Sequence, residues 1–371
     1  MQTLTLVLDC GSSLTKVFYS PGEDAQPQML LLPPYVVEQP KEQLLYVESQ
    51  NRPEVRPERS AWIESDGICW AIGYLAGQRF NATLQLKPGK LEAAIYKTLA
   101  AVGVAAQTLG ITGGSLVLGL LLPFGEYADR DLYRQAIVPA LQDFCFRGQS
   151  LSFEVQHLFC KFEGFGLLSA SVLGESRRFR KSAIAVLGYR NTSVVCLDED
   201  SDPIGLTTDL GFARMLEAIQ KTNSGLTDTL LLARCVHRAG LKVNRRELLP
   251  LVKNDRFAQQ RLETLAQSIP IAQRSYWAPL TQLFAETMGR ETEQILWVGG
   301  PSDYFRPLLQ RQFRGPALVW GESLAVQLRE QVGSGLPAEA IPRLLDAYGF
   351  WFYVWGRCLK IHALGEVSVH A

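Results

Sequence analysis

Two short apolar runs broken by a glycine turn stand near the start of this chain, and the same pattern returns near its middle. Leu4 to Asp9, the turn Cys10-Gly11-Ser12-Ser13 and Thr15 to Tyr19 read as a hairpin, with Met29 to Leu32 as a third strand. Ser182 to Leu187, the turn Gly188-Tyr189-Arg190-Asn191 and Thr192 to Leu197 repeat it, with Ile204 to Thr207 in third place. Each hairpin heads a stretch of mixed strand and helix sequence, which argues for an internal duplication of an α/β half. Any two α/β halves contain hairpins, however, so the chemistry of the two turns has to decide.

Length and composition bound the alternatives. The 371 residues are enough for two or three domains, and 47% hydrophobic content supports a large core. Thirty-seven basic residues balance 37 acidic ones, which argues against direct nucleic-acid binding over a broad surface. The 7 cysteines are dispersed without a CxxC pair, and the 4 histidines do not cluster near them. That pattern fits a reducing cytoplasm better than a disulfide framework or a zinc site. The N-terminus lacks a basic leader, and the longest apolar run, Gly110 to Phe124, is short and interrupted by glycine, so no membrane segment is expected.

Between the hairpins, residues 33–60 read as irregular chain or a small subdomain. Ala61 to Glu64 and Ile68 to Ile72 form a hairpin around Asp66-Gly67. Lys90 to Val102 has helical spacing with a stop at Gly103, and Ser115 to Leu122 is a buried strand ended by Pro123. Asp129 to Phe144 is helical, Ser150 to Phe162 reads as two short strands, and Gly164 to Gly174 as a helix. After the second hairpin come helix from Gly211 to Gln220, more helix between Asp228 and Met288, the strand Ile295 to Val298, and helix from Tyr304 to Phe313. The aromatic run Tyr348 to Trp355 suits either a buried helix or a partner patch. The basic cluster Ser176 to Lys181 suits either a solvated linker or a DNA contact.

The sharpest motif is Asp9-Cys10-Gly11-Ser12-Ser13-Leu14-Thr15-Lys16. A glycine and two serines in a hairpin turn aim N–H groups and hydroxyls at an anion. Asp9 at the strand end suits Mg²⁺ through water, and Lys16 adds a point charge. The Walker A spacing is absent. The same octapeptide also suits a surface turn with a solvated lysine.

Further stations follow in order: Gly119-Leu120-Leu121-Leu122-Pro123-Phe124-Gly125-Glu126-Tyr127, Lys161-Phe162-Glu163-Gly164, Val298-Gly299-Gly300-Pro301 and Asp346-Ala347-Tyr348-Gly349. In this order they resemble the actin-like ATPase superfamily, and within it the bacterial ParM/StbA-type plasmid-segregation actins. Those proteins carry an Asp-x-Gly-Ser loop followed by Lys, a Gly-Leu-Pro-x-x-x-Tyr strand end and a Glu after the fifth strand of the first domain.

The resemblance implies an actin-like (ribonuclease H-like) duplicated α/β fold, two domains around a nucleotide cleft. The first would span residues 1–176 with a small subdomain at about 30–75. The second would span 177–371, with the last helix, about 340–356, returning to the first. It implies ATP and Mg²⁺ as cofactors, with Asp9, Gly11, Ser12, Ser13 and Lys16 on the phosphates and metal. Glu163 would orient the attacking water, although a Glu there also suits the helix dipole. Gly299, Gly300 and Pro301 would pass under the adenosine, and Gly211 would let its helix N-terminus face the nucleotide. In the second loop the family carries Asp-x-Gly, whereas this chain reads Val186-Leu187-Gly188. Arg190, Asn191 and Thr192 would supply charge and hydrogen bonds there, which serves binding better than hydrolysis. Implied partners are further copies of the chain in a head-to-tail filament and a DNA-binding adaptor, as in plasmid partition. The alternative is a non-polymerising, chaperone-like or regulatory nucleotide sensor.

Overall fold

The computed structural model describes residues 2–22, 26–50, 54–84, 90–174, 180–332 and 335–363. The basic cluster therefore lies mostly outside the described residues. The chain forms two compact units, Met1–Leu173 with Asp346–Ala371, and Gly174–Leu345.

The first unit opens with β1 (Thr3–Cys10), β2 (Thr15–Pro21), β3 (Gln28–Leu32) and β4 (Val36–Glu38). Helix α1 (Lys41–Ser49), β5 (Trp62–Ser65), β6 (Ile68–Ile72) and α2 (Tyr74–Arg79) follow. The unit continues with α3 (Lys90–Leu109), β7 (Gly113–Leu122), α4 (Arg130–Gln142), β8 (Phe144–Phe146), β9 (Gln149–Phe162) and α5 (Phe165–Gly174). Its sheet order is β3-β2-β1-β7-β9-β8-β5-β6-β4, with β1 antiparallel to β2 and parallel to β7. The expected first hairpin, its third strand and the Asp66-Gly67 hairpin are all present, and Asp66 and Gly67 both take positive φ.

Two local expectations change. Helix α3 does not stop at Gly103 but runs on to Leu109, because a bare Cα lets the Phe146 ring lie against the helix; a Cβ there would overlap the ring. Residues Ser150 to Phe162 lie in one 14-residue strand, Gln149–Phe162, instead of two. Its start pairs with β8 and the rest with β7, and the register slips at Gln156, which breaks the alternation that strand reading relies on.

The second unit contains β10 (Lys181–Leu187), β11 (Thr192–Asp198), β12 (Ser201–Thr208), α6 (Phe212–Thr222), α7 (Thr229–Ala239) and α8 (Ala258–Thr287). Then come β13 (Gln294–Val298), α9 (Gly300–Tyr304), α10 (Arg306–Gln312), β14 (Ala317–Val319) and α11 (Glu322–Val332). The single helix expected from Tyr304 to Phe313 is thus two, parted at Phe305. Sheet order is β12-β11-β10-β13-β14, with β10 antiparallel to β11 and parallel to β13. Strand for strand, β12-β11-β10-β13 repeats β3-β2-β1-β7, order and direction alike.

The last helix, α12 (Ile341–Ala363), begins in the second unit and belongs to the first from Asp346 onward. Its aromatic run is largely interior: Phe350, Trp351 and Val354 are fully buried, and Phe165 packs edge-on against Phe350 and Tyr353. Burying each such side chain contributes about 1.5–3 kcal/mol. No described helix is long and apolar enough to cross a membrane.

Candidate functional site

In the first unit the hairpin register pairs Cys10 with Thr15, so Gly11 to Leu14 form the loop and Asp9 faces Lys16 across the ladder. The Lys16 ammonium donates to Asp9 Oδ2 at 2.5 Å, and Asp9 is only 5% exposed. Gly11 leaves a cradle beside this pair. A Cβ at position 11 would stand 2.6 Å from the Leu14 carbonyl oxygen and 3.2 Å from Lys16 Nζ. Ser12 and Ser13 are half-buried at the tip.

Glu163 is half-buried at the turn from β9 into α5, with its own N–H donating to the Leu122 carbonyl at 2.7 Å. Behind it stands Asp346, whose carboxylate accepts from the amides of Gly164 (2.6 Å), Gly166 (2.9 Å) and Leu167 (3.2 Å). Burial pushes the Asp346 carboxyl up to about 7, the nearby charges of Asp9 and Glu163 add to the rise, and the amide bonds oppose it. The start of α12 is therefore joined to the β9–α5 turn through Asp346.

The second hairpin copies the first residue for residue. Leu187 pairs with Thr192, leaving Gly188 to Asn191 as a loop of the same length, and Val186 faces Ser193 where Asp9 faces Lys16. Both members of the ion pair are neutral here, so no charge is left stranded. The Gly188 N–H closes the turn on the Asn191 carbonyl at 2.9 Å, and Arg190 and Asn191 are half-buried at its tip.

Two expected roles shift in this unit. Thr192 is 0% exposed and its hydroxyl donates to the Leu210 carbonyl at 2.6 Å, so its one proton is spent inside the fold and not on a ligand. The α6 amides of Phe212 and Ala213 donate to the carbonyls of Gly188 (3.1 Å) and Tyr189 (2.9 Å). They hold the turn and do not stand open to an anion. Gly211 makes this approach possible, since a Cβ there would overlap the Tyr189 and Arg190 backbone.

Gly299 backs the same turn from β13. Its φ of +94° suits glycine, and any Cβ would collide with the Leu187 carbonyl. Pro301 opens the short helix α9, and Ser302 Oγ donates to the Gly299 carbonyl at 2.7 Å. The Gly300 carbonyl lies 3.2 Å from His237 Nε2 of α7. A carbonyl only accepts, so Nε2 carries the proton.

Solved structures decide the fold. The archaeal actin homologue Ta0583 matches with a TM-score of 0.62 and 16% identity, over 95% of this chain and 99% of that chain. Bacillus thuringiensis ParM with ATP gives 0.60 and 12%, over 96% and 99%. The filament of AlfA from the B. subtilis plasmid pLS32 gives 0.54 and 15%, over 94% and 98%. This chain has the actin-like fold. No family model matches the sequence, and no curated protein matches it.

Within the actin-like fold, the sequence-derived residues fall into two groups. Asp9, Gly11, Ser12, Ser13, Lys16 and Glu163 lie in the first unit. Gly188, Arg190, Asn191, Thr192, Gly211, Gly299, Gly300 and Pro301 lie in the second, where Gly211 and Gly299 both back the turn that Gly188 opens. Asp346 beside the β9–α5 turn is not announced as a site residue by the sequence, and His237 serves the α7–α9 contact. The Asp346 station was visible as a motif, but a cap donated by a helix remote in sequence leaves no local signal. His237 is an isolated histidine in a helix.

The donor chemistry of the first turn suits hydrated magnesium. Among the described residues no group of three or more His, Cys, Asp or Glu side chains forms a protein-only metal cage. Mg²⁺ needs none: it takes one or two carboxylates and completes its shell with water and phosphate oxygens. Asp9, a single carboxylate at the end of β1, suits that donor set.

Proposed function

We propose that this chain is a ParM-type actin homologue that binds ATP with Mg²⁺ and assembles head to tail into filaments when it does so. The observation that carries the reading is the first turn, in which a side-chain-free Gly11 stands over the buried Asp9–Lys16 pair. ATP phosphates would take the Lys16 ammonium together with the Ser12 and Ser13 N–H groups and hydroxyls. Asp9, released from Lys16, would hold the hydrated Mg²⁺. Bound there, Mg²⁺ supplies charge neutralisation on the phosphates. Arg190 and Asn191 in the second unit would add contacts to the terminal phosphate, and Gly299, Gly300 and Pro301 would run under the adenosine. Glu163 would orient water, with slow turnover because Val186 supplies no carboxylate. B. thuringiensis ParM was solved with ATP and AlfA as a filament, which supports both halves of the reading. Work on DNA would follow through an adaptor, as in plasmid partition, since the balanced charge offers no broad basic surface.

The domain boundaries inferred from sequence, near residue 176 with the last helix rejoining the first domain, belong to this proposal. A non-polymerising nucleotide sensor is the second reading, favoured by the neutral Val186–Ser193 pair. Sedimentation and light scattering with ATP, ADP and no nucleotide separate the two. Filament assembly predicts pelleting with ATP that Asp9→Ala abolishes. Monomers at every nucleotide and concentration would leave the sensor.

A further inference from the structure

The amides at the start of α5 find their acceptor in another element. A helix leaves its first N–H groups without intrahelical partners, and the positive end of its dipole favours a carboxylate. Here Asp346, 3% exposed and the first residue of α12 within the first unit, takes three of them: Gly164, Gly166 and Leu167. The contact is fitted closely, because a Cβ on Gly166 would overlap the Asp346 carbonyl oxygen.

Glu163 immediately precedes this capped turn. On one side its own N–H is tied to Leu122 at the end of β7, and on the other Gly164 is tied to Asp346. The backbone at Glu163 is therefore pinned from both flanks, by two elements that share no sequence neighbourhood. The arrangement also works against electrostatics, since Asp346 is buried within reach of the charges of Asp9 and Glu163. A helix cap alone needs only a serine or threonine and would avoid that cost.

We propose that Asp346 is a positioning residue for Glu163: through the amides of Gly164, Gly166 and Leu167 it fixes the backbone of the turn that carries Glu163. The inference rests on reading Glu163 as the group that orients water at a bound triphosphate, and it ties the catalytic geometry of the first unit to the start of the last helix.

The test measures ATP affinity with a fluorescent ATP analogue and phosphate release at saturating ATP with Mg²⁺, in the full chain. Asp346→Asn keeps an oxygen for Gly166 and Leu167 but turns an amide donor toward the Gly164 N–H. Asp346→Ala removes the cap, and where it fails to fold the Asn variant carries the test. Leu141→Ala, on the buried face of α4, serves as a destabilised control.

Asp346→Asn is expected to lower phosphate release by about tenfold or more, within the range a positioned base contributes. ATP affinity stays within about twofold, the mark of an interaction made in the transition state only. Leu141→Ala leaves turnover per folded molecule unchanged. Unchanged turnover in Asp346→Asn, an equal loss of affinity and turnover, or the same loss in Leu141→Ala would each overturn the proposal. So would a wild-type chain that binds ATP without releasing phosphate. A wild-type chain that binds no ATP overturns the nucleotide reading itself, a different and separable result.

Discussion

Asp9 and Lys16 form a nearly buried ion pair, their side chains 7% and 13% exposed. Removing one partner of such a pair strands the other and costs about 3–5 kcal/mol. Lys16→Ser is therefore expected to lower stability by an amount of that order, read by chemical denaturation. The double substitution Asp9→Val with Lys16→Ser writes the second hairpin's Val186–Ser193 pair into the first. It is expected to recover most of the lost stability while abolishing ATP binding. A double variant as unstable as Lys16→Ser alone would mean that the two hairpins are not equivalent scaffolds. The second hairpin shows that the fold tolerates the neutral pair, so on the proposed function the charged pair of the first serves ligand binding.

At the level of elements, α7 and α9 meet through the His237–Gly300 bond, which carries a pH dependence. Burial lowers the His237 pKa below its usual 6.5, while Asp303, the Gly300 carbonyl and Glu339 pull it up and Arg343 adds to the fall. The folded state thus resists protonation. Once the pH drops below about 6.5 the unfolded chain binds more protons and the stability from this group is lost; it is fully present above that value. His237→Gln keeps a donor for Gly300 and removes the titration. Denaturation at about pH 5 and about pH 8 should show a smaller difference in the variant than in the parent; equal differences would remove His237 from the acid response.

The elements that were legible in the sequence are those whose signal is local. Both hairpins announce themselves through apolar runs and a glycine turn, and the Asp66-Gly67 turn through its residue types. What escaped was written by tertiary contact. Gly103 reads as a helix stop, yet it is the space for Phe146. The bulge at Gln156 hides one long strand as two. Thr192 looks like a ligand donor because a hydroxyl bonded to a carbonyl has the same local sequence as one facing solvent. Asp346 caps a helix from far along the chain. Gly103→Leu tests the first of these. Leucine is the better helix former, but its side chain meets the Phe146 ring, and the variant should lose about 1–3 kcal/mol from overpacking, visible as a lower Tm.

For the whole molecule, the duplicated order of strands places one glycine turn at the head of each unit's sheet, one charged beneath and one neutral. On the proposed function, this asymmetry would give metal and phosphate charge to the first turn and leave the second to bind through Arg190 and Asn191. Equilibrium titration of a fluorescent ATP analogue with Mg²⁺ tests this most directly, in the parent, Asp9→Ala and Arg190→Ala. The account predicts saturable binding in the parent, loss in Asp9→Ala, and weakening by about tenfold in Arg190→Ala. Binding of equal strength in all three proteins, or none in the parent, would contradict it.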